Sequence, residues 1–318
     1  MISYRHTNLP VSVLDTGSFA FTYPPEPSQE LLKSIRKTGI LTPLMVLPEG
    51  ETMRLFDGHR RLLVAREIGL TEVPATILPE LPSQELFSLW IGAQNANRRL
   101  NPFEIARLVQ EGPSAFRLPR EEVLRHLKKE PGRIPPPLLP ALPGILNLPE
   151  RLKQEAVRRG YSAPFLVKIV ETFSPDLLSE VARILDHFSL SENQADQLLT
   201  WLDEIARRDH LAFPEVLSTD PLPFLLAHPK MPSAKKRDAF LKAVYKMRFP
   251  RKAELDTAFR EIRQKVEGVG NLRLLPPPNF AGDRFELRIT FRDAEDLKTT
   301  LDKLGAFHGK IEALTKLV

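Results

Sequence analysis

Apolar positions along this chain follow two rhythms, and the change between them divides it. After Ser28-Gln29-Glu30, residues Leu31, Leu32 and Ile35 share one helical face, and Gly39 stands where a helix ends in a left-handed residue. Leu44–Leu47 and Arg54–Phe56 read as short strands around a Pro-Glu-Gly turn. Arg60–Ile68 reads as a second helix, stopped by Gly69, and Val73–Ile77 as a further strand. Residues 1–82 are therefore expected to form a small mixed α/β domain.

From Ser83, which reads as a helix cap, the spacing turns helical. Leu86, Phe87, Trp90 and Ile91 make one stripe. Asn101, Pro102 and Glu104 match the N-cap, first and third positions of the next helix. Arg120–Lys129 is another helix, a further one runs to Arg159 and Gly160, and Ser162 caps its successor. Ser191 and Gln194 form a capping box before Leu198, Leu199, Trp201, Leu202 and Ile205. Residues 83–220 are expected to be all-α, and residues 221–234, with four prolines, a linker.

The remainder, 235–318, predicts helices over Lys235–Tyr245 and Lys252–Glu267, the latter with Leu255, Phe259, Ile262 and Val266 on one face. A strand at Leu272–Leu275 and a turn through Pro276-Pro277-Pro278 and Ala281-Gly282-Asp283 follow. Phe285, Leu287, Ile289 and Phe291 alternate with polar residues as a half-buried strand. Asp293 caps a helix with Leu297, Leu301 and Leu304. Two strands and one helix are too little to be stable alone, so this ββα module is expected to pair with a second copy. The fold class expected is α+β, multidomain.

Composition narrows the function. The chain has 318 residues, no cysteine and a formal charge of +5. Without cysteine there is no disulfide scaffold, thiolate zinc site or thiol nucleophile. The seven histidines show no zinc spacing. No apolar run is long enough to cross a membrane, and the first residues lack the apolar stretch of a signal peptide, so a cytoplasmic location is expected. The +5 averages two opposite blocks. Residues 171–226 hold eleven acidic and three basic residues, net −8; residues 235–273 hold twelve basic and five acidic residues, net +7. The basic block suits sequence-independent contact with DNA, with Lys235, Lys236, Arg237, Arg251 and Lys252 as candidate residues.

Candidate chemistry lies earlier. Asp57-Gly58-His59-Arg60-Arg61 places a glycine turn and two arginines at a helix start. Free N–H groups, the helix dipole and guanidinium groups together make an anion cradle. Gln94, Asn95 and Arg98 follow an apolar helix and could reach a nucleotide or a metal, whereas Asn101 is accounted for as a cap. Gly305-Ala306-Phe307-His308-Gly309-Lys310 is one residue short of a phosphate-binding loop and lacks its Ser/Thr.

Four of these motifs, in order over residues 8–110, resemble the N-terminal domain of ParB-type partition proteins. They are Leu31–Ile35 with Gly39-Ile40-Leu41-Thr42-Pro43-Leu44; Asp57–Arg61; Gln94-Asn95-Ala96-Asn97-Arg98; and Leu100-Asn101-Pro102-Phe103-Glu104. The resemblance implies a CTP-binding domain of the ParB/sulfiredoxin fold. Gly58, Arg60 and Arg61 would carry the phosphates, and Arg98 would add a further contact. Thr42 and Pro43 would lie against the nucleotide. Asn95, with Gln94 beside it, would stand at the Mg²⁺ side. His59 replaces the glutamate usual at its position, and Gln94 replaces the metal-side glutamate. An amide ligates Mg²⁺ or orients water poorly. A nucleotide binder with slow or no turnover is expected, at most a slow CTPase.

The same fold includes sulfiredoxin, which needs a cysteine absent here, and free serine kinases, whose loop is similar to Asp57–Arg60. An ATP-dependent small-molecule kinase is thus one alternative. A regulatory or adaptor protein without turnover is the other.

ParB relatives continue into a helix-turn-helix. Ile145-Leu146-Asn147-Leu148-Pro149 matches its tail, but the recognition helix would fall on residues 132–146, where five prolines stand within nine residues, 135–143. Each costs ~3 kcal/mol in a helix interior. Leu138, Leu139 and Leu142 read as packing residues. Non-specific DNA binding is therefore expected over specific reading. The C-terminal module resembles the ParB dimerisation domain. The resemblance implies a homodimer, DNA and a partition ATPase as partners, and a nucleoid-associated location.

Overall fold

The computed structural model describes residues 4–17, 19–129, 134–228, 230–267, 272–277, 284–305 and 312, with backbone alone at 95–97 and 265–266. The chain divides into two compact units, Met1–Ala195 and Asp196–Val318. The class is α+β.

The first unit opens with β1 (Arg5–Pro10) and β2 (Leu14–Asp15), then α1 (Gln29–Thr38), β3 (Leu44–Glu49), β4 (Thr52–Asp57), α2 (His59–Glu67) and β5 (Glu72–Ile77). The five strands form one sheet in the order β1-β5-β3-β4-β2. β3 and β4 are an antiparallel hairpin, β3 and β5 run parallel, and β1 closes the edge antiparallel to β5. β1 escapes sequence reading because its residues are exposed or half-buried, so no apolar alternation marks it.

Local chemistry explains the helix ends. The Ser28 hydroxyl accepts from the Leu31 N–H at 3.2 Å, and Gly39 ends α1 at φ 72°. Leu62 and Ala65 of α2 pack on Leu44, Val46, Leu55, Val73 and Ala75 of the sheet. Val64 turns instead to Leu32 and Ile35 of α1.

Helices then take over: α3 (Ser83–Asn97), α4 (Pro102–Phe116), α5 (Arg120–Lys128), α6 (Glu150–Arg159), α7 (Ala163–Thr172) and α8 (Pro175–Phe188). Pro82 rather than Ser83 holds the cap position of α3, and no side chain caps it. Asn101, Pro102 and Glu104 start α4 as a full capping box. Between α5 and α6, Pro136–Leu138 and Leu142–Asn147 form only 3₁₀ turns, so no α-helix occupies the described part of the expected recognition segment. Leu139 and Leu142 are buried and Leu138 half-buried; Gly132 and Arg133 lie outside the described residues.

Residues 19–27 carry no helix or strand, yet Phe19, Phe21 and Tyr23 are buried. Phe19 meets Phe56 and Phe116, Phe21 meets Trp90, and Tyr23 meets Phe103. This strap straddles the sheet and α3–α4.

Next in the chain come α9 (Glu192–Asp209), α10 (Phe213–Leu217), α11 (Leu222–Ala227), α12 (Ser233–Arg248) and α13 (Pro250–Glu267). The Ser191–Gln194 capping box starts α9: the Gln194 N–H donates to Ser191 Oγ at 3.4 Å and the Ser191 N–H to Gln194 Oε1 at 3.2 Å. Residues 221–234, expected as a linker, instead contain α11, whose Leu222 and Leu225 are buried. Proline at the first turn of a helix starts it rather than breaking it. β6 (Leu272–Leu275) and β7 (Glu286–Ile289) pair antiparallel, and Phe259 and Leu274 form a small core with Leu287 and Phe285. The chain's last described helix, α14 (Ala294–Gly305), is capped by Asp293, whose Oδ1 accepts from the Asp296 N–H at 2.8 Å. The Ala281–Asp283 turn, the Val266 side chain and residues 306–310 lie outside the described residues. No described helix is long and apolar enough to cross a membrane.

Candidate functional site

β4 hands the chain to α2 through Gly58, which sits at φ 108° and ψ 20°. The conformation favours glycine, and a Cβ there would lie 3.0 Å from Leu44 Cγ and 3.1 Å from Arg61 Nη2, so those neighbours would have to give by a few tenths of an ångström. The glycine has no side chain to cap α2. Leu62 is the residue whose N–H bonds back to the Gly58 carbonyl, at 3.0 Å. The N–H groups of His59, Arg60 and Arg61 therefore have no acceptor within the helix. Three aligned donors at the positive end of the dipole suit an anion.

Both arginines of the loop brace it. Arg60 donates through Nε and Nη2 to the Pro24 carbonyl, at 3.2 and 2.6 Å. Arg61 donates through Nη1 to the carbonyls of Thr42 and Pro43, at 2.5 and 2.9 Å, and through Nη2 to Asp57 at 2.8 Å. Thr42 and Pro43 thus join the site through their backbone. The other Asp57 oxygen accepts from the Gln94 amide at 2.8 Å, which brings α3 to the loop.

Arg98, just after α3, forms a two-pronged pair with Glu104 at 2.5 and 2.6 Å. The Glu104 side chain has 0% exposure and that of Arg98 37%. Glu104 also accepts from the N–H of Tyr23 at 3.0 Å and of Asn101 at 2.9 Å. One carboxylate caps α4, orients Arg98 and anchors the strap.

Burial pushes the Arg60 guanidinium below its ordinary pKa, and the nearby Arg98 cation adds to the effect. Its bond to Glu104 raises Arg98. Burial lowers His59, whose Nε2 has no partner. The imidazole is neutral at pH 7 and contributes no charge to the cradle.

Gln94 supplies an amide whose nitrogen is turned to Asp57, and both Asp57 oxygens are engaged. No group of three or more His, Asp or Glu side chains that could hold a metal ion occurs among the described residues. Asn95 lies in α3, with its side chain outside the described residues.

Gly58, His59, Arg60, Arg61, Thr42, Pro43, Gln94 and Arg98 are thus brought together. The basic candidates belong to the other unit. Lys235 and Arg251 are exposed and Lys236 half-buried; Arg237 pairs with Asp238 at 3.2 Å, and Lys252 is half-buried. Lys235 and Lys236 lie in the first turn of α12, where the dipole disfavours cations, and Arg237 follows directly.

Sequence reasoning passes over Glu104 and Asp57 as counter-ions and over Tyr23 and Pro24 as strap contacts. The alternation Phe19-Phe21-Tyr23 marks the strap. Nothing local marks Glu104, because its capping role already accounts for a glutamate there.

Residues 5–92 match the family model described as the ParB N-terminal domain. The chromosome-partitioning protein Spo0J of Thermus thermophilus is 32% identical over 209 residues, covering 63% of this chain and 68% of the relative. A probable chromosome-partitioning protein ParB of Coxiella burnetii is 28% identical over 179 residues, covering 55% and 59%. A crystal structure of C-terminally truncated ParB from Caulobacter crescentus, complexed with CTP-gamma-S, is 20% identical, with TM-score 0.24 and coverage of 55% of this chain and 98% of that one.

Proposed function

This chain belongs to the ParB family of chromosome-partitioning proteins, and from that premise we propose that it is a CTP-binding, DNA-associated dimer with slow or no nucleotide turnover. The observation that carries the nucleotide reading is the uncapped start of α2 behind left-handed Gly58. Three backbone donors with no acceptor within the helix stand there beside Arg60, Arg61 and Arg98, in a loop that Asp57 and Glu104 keep in shape.

Several features support slow turnover. Phosphoryl transfer to water calls for a side chain, carboxylate or amide, that is free to orient the attacking water. At this site Gln94 is an amide bonded to Asp57, and Asp57 is paired with Arg61. The His59 imidazole is neutral, and its Nε2 is buried. Any Mg²⁺ would be held chiefly by the nucleotide phosphates.

DNA contact is assigned to the basic α12–α13 stretch rather than to residues 134–149, where 3₁₀ turns replace a recognition helix. Lys235, Lys236, Arg237, Arg251 and Lys252 would neutralise phosphates without reading bases. The ββα module would supply the dimer, with a nucleoid-associated location and a partition ATPase as a further partner. The 1–82, 83–220 and 235–318 parts would then carry nucleotide, helical and dimerisation roles.

Calorimetric titration of the full chain with CTP and Mg²⁺, with and without duplex DNA, tests this reading. The expected result is saturable CTP binding, weaker binding of ATP, and fewer than one CTP hydrolysed per minute. Absence of CTP binding overturns it in favour of a nucleotide-free adaptor. ATP-dependent phosphorylation of free serine overturns it in favour of a kinase.

A further inference from the structure

Helices α11, α12 and α13 of the second unit enclose a trough of about 630 Å³. Its base is made by small side chains, the nearly buried Ala243 and Ala253. Phe224 of α11 stands at one wall, 62% exposed, although it is a large aromatic residue. Lys242 and Lys246, one turn apart on α12, and Arg260 on α13 line the same trough. None of these three cations forms an ion pair among the described residues. The trough's carboxylate, Asp256, already accepts a hydrogen bond from the Tyr245 hydroxyl at 2.9 Å.

We propose that this trough docks an acidic amphipathic helix of a partner protein. Alanines at the base let a helix backbone approach closely, and Phe224 offers apolar surface that a partner's leucine-type face would cover. The three cations would meet carboxylates on the flanks of that helix, which gives orientation and steering. A basic helix would be repelled by the same groups. A DNA backbone would use the cations and leave Phe224 and the alanine base uncovered. Past Lys246 the surface changes sign: the adjoining cleft is lined by Glu254 and Glu261. Like-charge repulsion there would confine an acidic helix to the α11 side.

The test uses the full chain and three labelled synthetic 15-residue peptides, read by fluorescence anisotropy. The first two have leucines at helical i, i+3, i+4 and i+7 spacing, one with glutamate and one with lysine on the polar face; the third is the glutamate peptide with its order scrambled. Saturable binding of the glutamate helix is expected, with at least tenfold weaker binding of the other two. The double variant Lys242→Glu/Lys246→Glu should weaken it at least tenfold. So should Thr257→Trp, which fills the trough from an exposed position. Circular dichroism and melting confirm that each variant is folded.

Equal binding of the lysine or scrambled peptide overturns the proposal, as does indifference to Thr257→Trp in a folded protein. Displacement of the peptide by a duplex or single-stranded oligonucleotide would make the trough a nucleic-acid surface instead. Self-association in sedimentation that Thr257→Trp abolishes would make the occupant a second copy. Nucleotide binding is measured separately at the other unit, so its failure is distinguishable from failure here.

Discussion

The Tyr23 hydroxyl donates a 2.6 Å hydrogen bond to Glu150 at the start of α6, 127 residues away, and the N–H of the same tyrosine donates to buried Glu104. Arg60 grips the next residue, Pro24, while Asn101 donates to the Tyr23 carbonyl at 2.8 Å. An irregular strap is thereby bonded to the anion loop, to the start of α4 and to a helix of the 3₁₀-containing region. Replacing Tyr23 by Phe removes the bond to Glu150 and leaves the ring packing on Phe103 intact. A loss of about 0.5–1.5 kcal/mol is expected in urea unfolding, since the freed carboxylate stays in reach of water.

Gly58→Ala should damage both stability and binding. The left-handed backbone at φ 108° strains any residue with a side chain, and a methyl group 3.0 Å from buried Leu44 would force that neighbour to shift. Strain of about 1–3 kcal/mol is expected. Nucleotide affinity should drop at least tenfold in calorimetry, because the three donor N–H groups lose their alignment.

Glu104→Ala removes an acceptor shared by Arg98, Tyr23 and Asn101. Breaking a fully buried pair costs about 3–5 kcal/mol. Arg98 is partly exposed and can be solvated, so about 2–4 kcal/mol is expected. Glu104→Gln keeps one acceptor and the cap partially, and should lose less stability. Its nucleotide affinity should nevertheless fall, since Arg98 is no longer held in place. Guanidinium-induced unfolding together with CTP titration checks both.

His59 makes stability fall on the acid side. Its pKa is lowered in the folded protein from 6.5, mainly by burial. Below pH 6.5 the unfolded chain takes up a proton that the folded chain resists, so the contribution is present above that pH and is lost as pH falls toward the folded value. His59→Gln should flatten the stability profile below pH 6.5, measured by denaturant midpoints.

Duplex affinity should depend steeply on salt. Five phosphate contacts, from Lys235, Lys236, Arg237, Arg251 and Lys252, give a slope of about −4.5 in log affinity against log salt and a loss of about 500-fold between 50 and 200 mM. Scrambling the duplex sequence should leave affinity unchanged. A slope near zero removes the basic stretch from the DNA surface.

Much of this architecture was legible locally. Ser28, Gly39, Asn101-Pro102-Glu104, Gly160, Ser191-Gln194 and Asp293 mark helix ends because caps satisfy backbone groups within a few residues. The prolines of 135–143 likewise foretell the missing helix, since proline acts on its own turn. The strand β1 and the helix α11 were missed for different reasons: the first is exposed or half-buried at a sheet edge, and the second begins with prolines that also suit a linker.

By itself, the sequence determined the helix and strand rhythm, the glycine-arginine loop, the absence of thiol chemistry and the opposed charge blocks, all properties of neighbouring residues. Only the tertiary structure decided what those groups face. Arg60 reaches Pro24, 36 residues away, and Gln94 reaches Asp57, 37 residues away. Burial silences His59, and Glu104 serves three partners at once. Ion pairing, desolvation and shared acceptors depend on distance in space, and that distance is set by how the strap, sheet and helices pack.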